Sequence, residues 1–281
     1  MWPRAVRELP PELAGEPLSA LVLGADGGTL IVGRQHDDVK SKEGPVTRAV
    51  YAVGTTTRKL FDLPERASAA GNLAVGAGRL VWTTRPDRVW VASLRDGRPR
   101  SLGSLGLGTI DGLTVEEGRI ILSVAKGGVY AMPLSGGRPR LLAKGAHLLR
   151  WPWVGATERL PYRTFVRLTD LQLGRHDTAA VRPADRDLRC GLVYCSGFTE
   201  DGAAFTRMRD GSEQRPYPGN MHQIIGDRLA ITELPGNTFG VRDLATGTEA
   251  ALGRWFADNA HRYLTYGRGD KAFVMDRAAI R

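Results

Sequence analysis

The amino-acid sequence predicts an all-β fold, a seven-bladed β-propeller, and three observations carry this prediction: a direct repeat, a recurring turn and a recurring arginine. The segment that begins at Gly78, GRLVWTTRPDRVWVASLRDGRPRSL, matches the segment that begins at Gly118, GRIILSVAKGGVYAMPLSGGRPRLL, at an offset of 40 residues. A period of about 40 residues is typical of propeller blades. Each segment contains short β-branched or aromatic runs between glycine turns, which predicts consecutive antiparallel strands.

The turn before the outer strand of each blade recurs along the chain. Its markers are Thr57, Gly97, Gly137, Gly174, Gly211 and Gly247, at intervals of 40, 40, 37, 37 and 36 residues. An arginine opens the second strand of four blades, at Arg79, Arg119, Arg228 and Arg262. A seventh turn marker would fall past residue 281, so the last blade lacks an outer strand. We expect the N-terminal segment, residues 5–9, to supply that strand and remove an exposed sheet edge.

Six or eight blades are the alternatives, because the stretch from His147 to Asp187 is the least regular. Length alone would allow two domains, but all-β folds of this size often form one domain, and we predict a single domain over residues 1–281. Hydrophobic residues make up 42% of the chain, which is enough for a core. The sequence contains no run of about 18 apolar residues, so it does not predict a membrane-spanning helix.

The net charge of +9 comes mainly from arginine and raises the question of nucleic-acid binding. The arginines are spread along the sequence, often beside an acidic residue, and no run of five or six basic residues occurs. We therefore do not expect a nucleic-acid partner. The partners we expect are a protein, a peptide or a glycan, bound by a monomer.

Cys190 and Cys195, in RCGLVYCSG, are the two cysteines of the chain. Their spacing in a glycine-containing β region predicts a small-loop disulfide across a turn, which would place the protein in an oxidising compartment. Two reduced, buried thiols are the alternative. A metal site is not predicted, since one such pair without further cysteine or histidine ligands is too few. Ser196 in CSGF is interpreted as a turn residue beside the pair rather than a nucleophile.

At the level of repeat length and blade pattern, the chain resembles TolB-like and YncE-like bacterial propellers. The stretch CGLVYCSGFTEDGAAFTRMRDGS, from Cys190 to Ser212, is similar to a blade of actinobacterial TolB-like proteins in which a close cysteine pair precedes a CSGF or CTGF turn. The resemblance implies an exported, extracytoplasmic or secreted protein that binds partners. The N-terminus has no apolar stretch typical of an export signal, so we expect either that the signal has been removed or that the protein is cytoplasmic.

The segments that lead into the inner strands are expected to surround the mouth of a central channel, where propellers commonly place their sites. Converging polar side chains there suggest a general acid/base set, with Asp111, His147, His222 and Arg150 as candidate catalytic residues. The alternative interpretation is that these are ordinary hydrogen-bonded residues at strand starts. The sequence indicates no cofactor, and the glycine-rich run from Gly103 to Gly112 leads into a strand rather than a phosphate-binding helix.

Other side chains near these segments are candidate ligand-binding residues. They are Asn72, Asn220, Trp151, Trp153, Arg254 and Trp255. The tryptophans suggest a stacking surface for a sugar or planar ligand, with packing between blades as the alternative. The sequence thus supports two functional hypotheses: a non-enzymatic binding or scaffold propeller, and a small-molecule enzyme of lyase, lactonase or cyclase type. It does not decide between them.

Overall fold

A computed structural model describes residues 2, 4–13, 15–17, 20–36, 46–64, 73–84, 86–156, 164–217, 221–225, 227–236, 238–253, 255–258 and 262–280. Within these ranges the chain is all-β and has no α-helix; one 3₁₀ turn, Arg277–Ala279, follows the last strand. The fold is a seven-bladed β-propeller of four-stranded antiparallel sheets, as the repeat predicts. No helix in the described residues has the length and apolar character needed to cross a membrane.

The strands follow one another in the order that the repeat predicts. The N-terminal strands are β1 (Val6–Glu8), β2 (Glu12–Leu13) and β3 (Glu16–Pro17), and β2 pairs with β3. Blade 1 contains β4 (Ala20–Asp26), β5 (Thr29–His36), β6 (Val46–Val53) and β7 (Thr57–Asp62). Blade 2 contains β8 (Leu73–Gly76), β9 (Arg79–Thr84), β10 (Arg88–Ser93) and β11 (Pro99–Ser104). Blade 3 contains β12 (Ile110–Glu116), β13 (Arg119–Val124), β14 (Gly128–Pro133) and β15 (Arg140–Lys144).

The remaining four blades follow in the same order along the chain. Blade 4 contains β16 (His147–Arg150), β17 (Trp153–Gly155), β18 (Arg167–Asp170) and β19 (His176–Thr178). Blade 5 contains β20 (Arg186–Cys190), β21 (Tyr194–Phe198), β22 (Ala204–Met208) and β23 (Arg215–Pro216). Blade 6 contains β24 (Met221–Ile225), β25 (Leu229–Leu234), β26 (Thr238–Asp243) and β27 (Glu249–Gly253). Blade 7 contains β28 (Trp255–Asp258), β29 (Tyr263–Arg268) and β30 (Lys271–Asp276), and β1 completes its sheet.

The N-terminal strand closes the last blade, which confirms the sequence prediction. β1 is antiparallel to β30, with Val6 opposite Met275 and Glu8 opposite Phe273. Backbone bonds extend the pairing beyond the strand ends, from Leu9 N–H to the Ala272 carbonyl at 2.9 Å and from Asp276 N–H to the Ala5 carbonyl at 2.7 Å. The edge of β30 is therefore covered by the chain's own first strand.

Both sequence markers fall where they were predicted. The five marker glycines lie in the turns that lead to outer strands, and all have the positive φ that favours glycine: Gly97, Gly137, Gly174, Gly211 and Gly247. Arg79 and Arg119 are the first residues of β9 and β13, and Arg228 and Arg262 directly precede β25 and β29. Arg228 donates two hydrogen bonds to Asp243, the last residue of β26. Arg262 donates two to Asp276, the last residue of β30.

The described chain separates into two compact units. The N-terminal unit comprises Ala5–Leu148, Ala257–Thr265 and Asp270–Arg281, and the C-terminal unit comprises Met1–Arg4, Leu149–Phe256 and Tyr266–Gly269. The N-terminal unit contains three apolar clusters, each formed between neighbouring blades. In one of them the fully buried Trp82 ring stacks on Trp90 at 6.0 Å and on Phe61 of blade 1 at 6.4 Å. Trp82 and Trp90 therefore serve packing between and within blades.

Within the N-terminal unit, the first strands of blades 1–3 lie side by side, with β8 in contact with both β4 and β12. Glycines make this close approach possible. A Cβ atom at Gly24 would lie 2.6 Å from Cβ of Val75, and one at Gly76 would lie 2.8 Å from both Cβ and the carbonyl oxygen of Val115. Such distances leave no room for a side chain, because interiors are close-packed.

Replacing Gly76 by alanine is therefore expected to lower the free energy of unfolding by about 1–3 kcal/mol, the usual cost of overpacking a core. Urea denaturation measures the change. Gly54 is the matched control, since its nearest neighbour would be Thr29 Oγ1 at 3.6 Å. Gly54→Ala should change stability by less than about 1 kcal/mol. Equal losses in the two variants would contradict the close-approach explanation.

Candidate functional site

A buried polar cluster lies at the start of two inner strands of the N-terminal unit. Asp111 follows the first residue of β12, His147 opens β16, and Ser123 lies near the end of β13. His147 Nδ1 is 2.8 Å from Asp111 Oδ2, and the Ser123 hydroxyl donates to Asp111 Oδ1 at 2.6 Å. The side chains of His147 and Asp111 are only 7% and 11% exposed. The structure thus brings together two of the four candidate catalytic residues, and adds a serine that the sequence analysis missed.

The geometry of this cluster defines what it can do. A carboxylate at Nδ1 fixes the orientation of the imidazole and leaves Nε2 as the nitrogen that can accept a proton or bind a partner. In a serine nucleophile arrangement the hydroxyl contacts Nε2. Ser123 instead contacts the far oxygen of the carboxylate, so this serine is not activated by the histidine. In this cluster Asp111 of β12 contacts β13 of its own blade through Ser123 and β16 of the next blade through His147.

The glycine-rich loop before β12 also binds an internal carboxylate. The backbone N–H of Leu107 donates to Asp87 Oδ2 at 2.7 Å, and the Ser104 hydroxyl donates to Oδ1. Burial alone would raise the pKa of Asp87, but these bonds and those from the N–H groups of Gly108 and Gly106 lower it below its ordinary value. The loop therefore acts as a small anion-binding nest whose anion is supplied by the protein.

Arg150 does not join the Asp111 cluster. It lies three residues after His147 in β16, and an odd separation places two side chains on opposite faces of a strand. Its guanidinium forms an ion pair with Asp227, in the turn between β24 and β25. Asp227 is a second residue that sequence reasoning missed, since the pair joins blades that are far apart in the chain.

The tryptophans lie at the other end of β16 from His147. Trp151 and Pro152 form the turn after the strand, and Trp153 begins β17. Both tryptophans are half-buried, and the Trp151 Nε1–H is enclosed without an acceptor among the described residues. The guanidinium of Arg175 lies 5.5 Å from the centre of the Trp153 ring. A partly exposed ring backed by a cation is a suitable platform for a sugar or an aromatic group.

The other candidates are described only in part. His222 lies within β24 and Trp255 begins β28, but their side chains, together with all of Asn72, Asn220 and Arg254, lie outside the described residues. In the part of the chain that the structure covers, no group of three or more histidine, cysteine or acidic side chains is placed to hold a metal ion.

Cys190 and Cys195 form the predicted disulfide. They stand directly opposite each other in the β20–β21 hairpin, which turns through Gly191 N–H and the Tyr194 carbonyl at 2.9 Å. The bond is buried against Ala179, Val166 and Leu188. The interpretation of Ser196 as a turn residue is wrong: it is buried within β21, because the hairpin turn falls before Tyr194 rather than after Cys195.

Two buried arginines beside this hairpin were not predicted. Arg209 donates to Asp177 and to the carbonyls of Phe165, Gly191 and Val166 at 2.7–2.9 Å. Arg207, 1% exposed, donates to the Asp185 carboxylate and, at 2.7 Å, to the Ala180 carbonyl. These contacts hold blades 4 and 5 together by hydrogen bonds to charged groups, which are stronger than neutral ones.

The comparisons with known proteins support the fold and do not supply a family. No family model matches the sequence, and no curated protein matches it. Among solved structures, a chain of the COPII outer coat vertex on membranes has a TM-score of 0.52 at 8% identity, over 88% of this chain and 81% of that chain. BamB from Moraxella catarrhalis, a β-propeller, has a TM-score of 0.47 at 11% identity, over 96% of this chain and 85% of that chain. The computationally designed protein Ika8 has a TM-score of 0.49 at 13% identity, over 93% of this chain and 85% of that chain. Such low identities concern the fold alone.

The Asp111 cluster can be tested by removing its central carboxylate. Asp111→Ala would leave the Ser123 hydroxyl and His147 Nδ1 without their acceptor, so we expect a loss of about 2–4 kcal/mol in the free energy of unfolding. Adding His147→Ala to that variant should cost less than His147→Ala costs alone, because the two residues act through one contact. Urea denaturation of the single and double variants measures this coupling.

Exposed Asp96, whose side chain has no described partner, is the matched control, and Asp96→Ala should change stability by less than about 0.5 kcal/mol. A loss in Asp111→Ala no larger than in this control, or strict additivity with His147→Ala, would rule out the structural tie.

Asp185 gives a prediction about acid stability. Burial alone would raise its pKa, but the hydrogen bonds from Arg207 and from the Arg182 N–H, with the charges of both arginines, lower it below the ordinary value. The stabilisation is therefore complete above the unfolded pKa of about 3.9 and is lost as pH falls through the folded pKa. We expect the thermal midpoint to be flat down to about pH 5 and to fall below about pH 4.

Asp185→Asn should be less stable than the natural chain at neutral pH and should lose less stability on acidification, whereas Asp96→Asn should follow the natural profile. The measurement is a thermal melt at a series of pH values. Parallel curves for the natural chain and Asp185→Asn would exclude Asp185 as a source of the acid sensitivity.

Proposed function

We propose that the chain is a non-enzymatic binding or scaffold propeller that acts as a single monomeric domain outside the cytoplasm and holds a protein, peptide or glycan. The propeller fold is compatible with such a role. The observation that carries the proposal is that the polar side chains at the ends of β16 are used in structural pairs. His147 is engaged with Asp111 and Arg150 with Asp227.

These pairs favour binding over turnover for a physical reason. An acid, a base and a charge-stabilising group must reach the same small substrate to catalyse its reaction. Here the Asp111–His147 pair is almost fully buried, and Arg150 projects from the opposite face of the strand. A lyase, lactonase or cyclase built on these residues would need them to converge.

The disulfide supports the proposed compartment. Both cysteines of the chain are in the bond, and disulfides persist in oxidising environments such as the periplasm or the cell exterior. The hairpin that it closes is the same stretch that resembles a blade of actinobacterial TolB-like proteins. We therefore propose an exported protein of TolB-like or YncE-like type, and a count of free thiols in protein recovered from its native host tests the compartment.

The binding surface that we propose in the C-terminal unit is the Trp153 platform, defined as Trp151, Trp153 and Arg175. Trp153 is half-buried, and the Arg175 guanidinium at 5.5 Å from its ring centre is held by Asp170 at 2.8 Å, so the platform is preorganised. Rigid platforms lose little conformational entropy on binding. The candidates outside the described residues, which are Asn72, Asn220, Arg254 and the side chain of Trp255, remain proposals as further ligand contacts.

Array binding followed by titration tests this proposal. The unreduced protein is applied to glycan and peptide arrays, and the affinity of each hit is measured for the natural chain, Trp153→Leu and the control Trp90→Leu. Loss of a stacking contact should weaken binding by about tenfold in Trp153→Leu, while Trp90→Leu keeps its affinity because that half-buried ring packs on Trp82.

The same preparation is assayed against panels of lactones and lyase substrates. Turnover that disappears in His147→Ala, in a variant that still folds, would overturn the binding proposal in favour of an enzyme. Hits whose affinity is equal in both tryptophan variants would remove the Trp153 platform from the proposed binding surface.

A further inference from the structure

The outer edges of blades 1–3 carry a concentration of positive charge that the linear sequence hides. We define the basic rim as three segments that run from the last turn of each blade through its outer strand, residues 54–62, 94–104 and 134–144. It contains eight basic residues and two acidic residues, Asp62 and Asp96, for a formal charge of 8 − 2 = +6. The basic residues are Arg58, Lys59, Arg95, Arg98, Arg100, Arg138, Arg140 and Lys144.

The corresponding segments of blades 4–6 provide an internal comparison. Residues 171–178, 209–216 and 244–253 contain three arginines and four acidic residues, for a formal charge of 3 − 4 = −1. The arginine excess of the chain is therefore not uniform over the outer edges. The twice-repeated Gly-Arg-Pro-Arg sequence, at 97–100 and 137–140, is confined to blades 2 and 3.

The three segments form one continuous surface within the N-terminal unit. A Cβ atom at Gly97 would lie 2.6 Å from the Leu60 carbonyl oxygen, so the turn of blade 2 lies against the outer strand of blade 1. The Arg100 guanidinium donates to the Ser135 carbonyl at 3.2 Å, and a Cβ atom at Gly136 would lie 3.4 Å from the Leu102 side chain. The turn of blade 3 therefore meets the outer strand of blade 2 in the same way.

At least four of these eight cations are available to a partner. Arg58, Arg98, Arg138 and Arg140 are exposed, and none of their guanidinium groups has a hydrogen-bond or ion-pair partner within the described chain. Like charges on one surface repel each other, so such a cluster costs stability unless an anion is bound. Charged residues also protect sheet edges from aggregation. That role alone does not require a single sign of charge on three adjacent blades.

We propose that the basic rim binds a linear acidic polysaccharide, with its carboxylate or sulfate groups held by Arg98, Arg138 and Arg140. The cations recur from blade to blade, as anions recur along a polymer, and guanidinium matches carboxylate and sulfate in bidentate geometry. Phe61 is the sole aromatic residue of the rim and is buried, so single-stranded nucleic acid finds no ring on which to stack its bases. Leu141 is the one large apolar side chain well exposed there, too little for insertion into a bilayer.

The basic rim shares no residue with the Trp153 platform, and the proposal stands whether or not that platform binds a ligand. The test compares two triple variants that remove the same charge. The rim variant is Arg98→Gln/Arg138→Gln/Arg140→Gln. The control variant is Arg4→Gln/Arg167→Gln/Arg268→Gln, which replaces exposed arginines outside the rim. Thermal melts of both establish that they fold.

Binding to a size-defined heparin oligosaccharide is titrated between about 50 and 300 mM NaCl for the natural chain and both variants. We expect the rim variant to lose about tenfold or more in affinity at the middle of this range. Its affinity should also depend less steeply on salt, because fewer contacts form and fewer counterions are released on binding. The control variant should lose less than about threefold, because its arginines act only through long-range charge.

Three outcomes would overturn the proposal. One is absence of heparin binding by the natural chain at the lowest salt, and another is an equal loss in the rim and control variants. Duplex DNA or phosphatidylglycerol vesicles that bind more tightly than heparin, with the same sensitivity to the rim variant, would assign the surface to a different class of partner. A rim variant that aggregates while its affinity is unchanged would assign the arginines to edge protection.

Discussion

Burial of both faces of a four-stranded sheet is the constraint on which the rest of the structure depends. An antiparallel sheet with apolar residues on both faces is unstable in water until each face is covered by a neighbour. In the N-terminal unit this cover is apolar: Trp82 is fully buried between Phe61 and Trp90, and Gly24 and Gly76 let the first strands approach to contact distance. The sheet edges impose a second constraint, and β1 meets it by pairing with β30, whose edge would otherwise be exposed.

The C-terminal unit adds polar contacts to its apolar clusters. Around the disulfide the interior contains Arg207, Arg209 and the carboxylate of Asp185. Buried charges are tolerated only when they are paired and hydrogen-bonded, and Arg209 accordingly donates to one carboxylate and three carbonyls. Removing a single partner from such a network is costly, which makes this unit more sensitive to acid than a purely apolar core would be.

The architecture was predictable because it is periodic. The marker glycines need a positive φ at the same turn of each blade, so they recur in the sequence as visibly as in the structure. The sequence suggested that Asp111, His147, His222 and Arg150 converge, and the structure pairs Asp111 with His147 but Arg150 with Asp227. The parts played by Ser123 and Asp227 were not anticipated. Their contacts do not recur from blade to blade, so the repeat carries no signal for them. The buried Arg207 reads in sequence like any surface arginine, since its burial depends on Asp185, 22 residues away.

The charge distribution illustrates the same difference between sequence and space. Along the chain the arginines are spread evenly, which argued against a nucleic-acid-binding surface. In a propeller, however, even spacing at the repeat length places side chains at equivalent positions of successive blades, so regular spacing is how a patch is encoded. The structure divides the arginines into those that hold blades together, such as Arg100 and Arg209, and those with no partner in the described chain, such as Arg98 and Arg138. Stability accounts for the first group, and a partner's anions are the simplest physical account of the second.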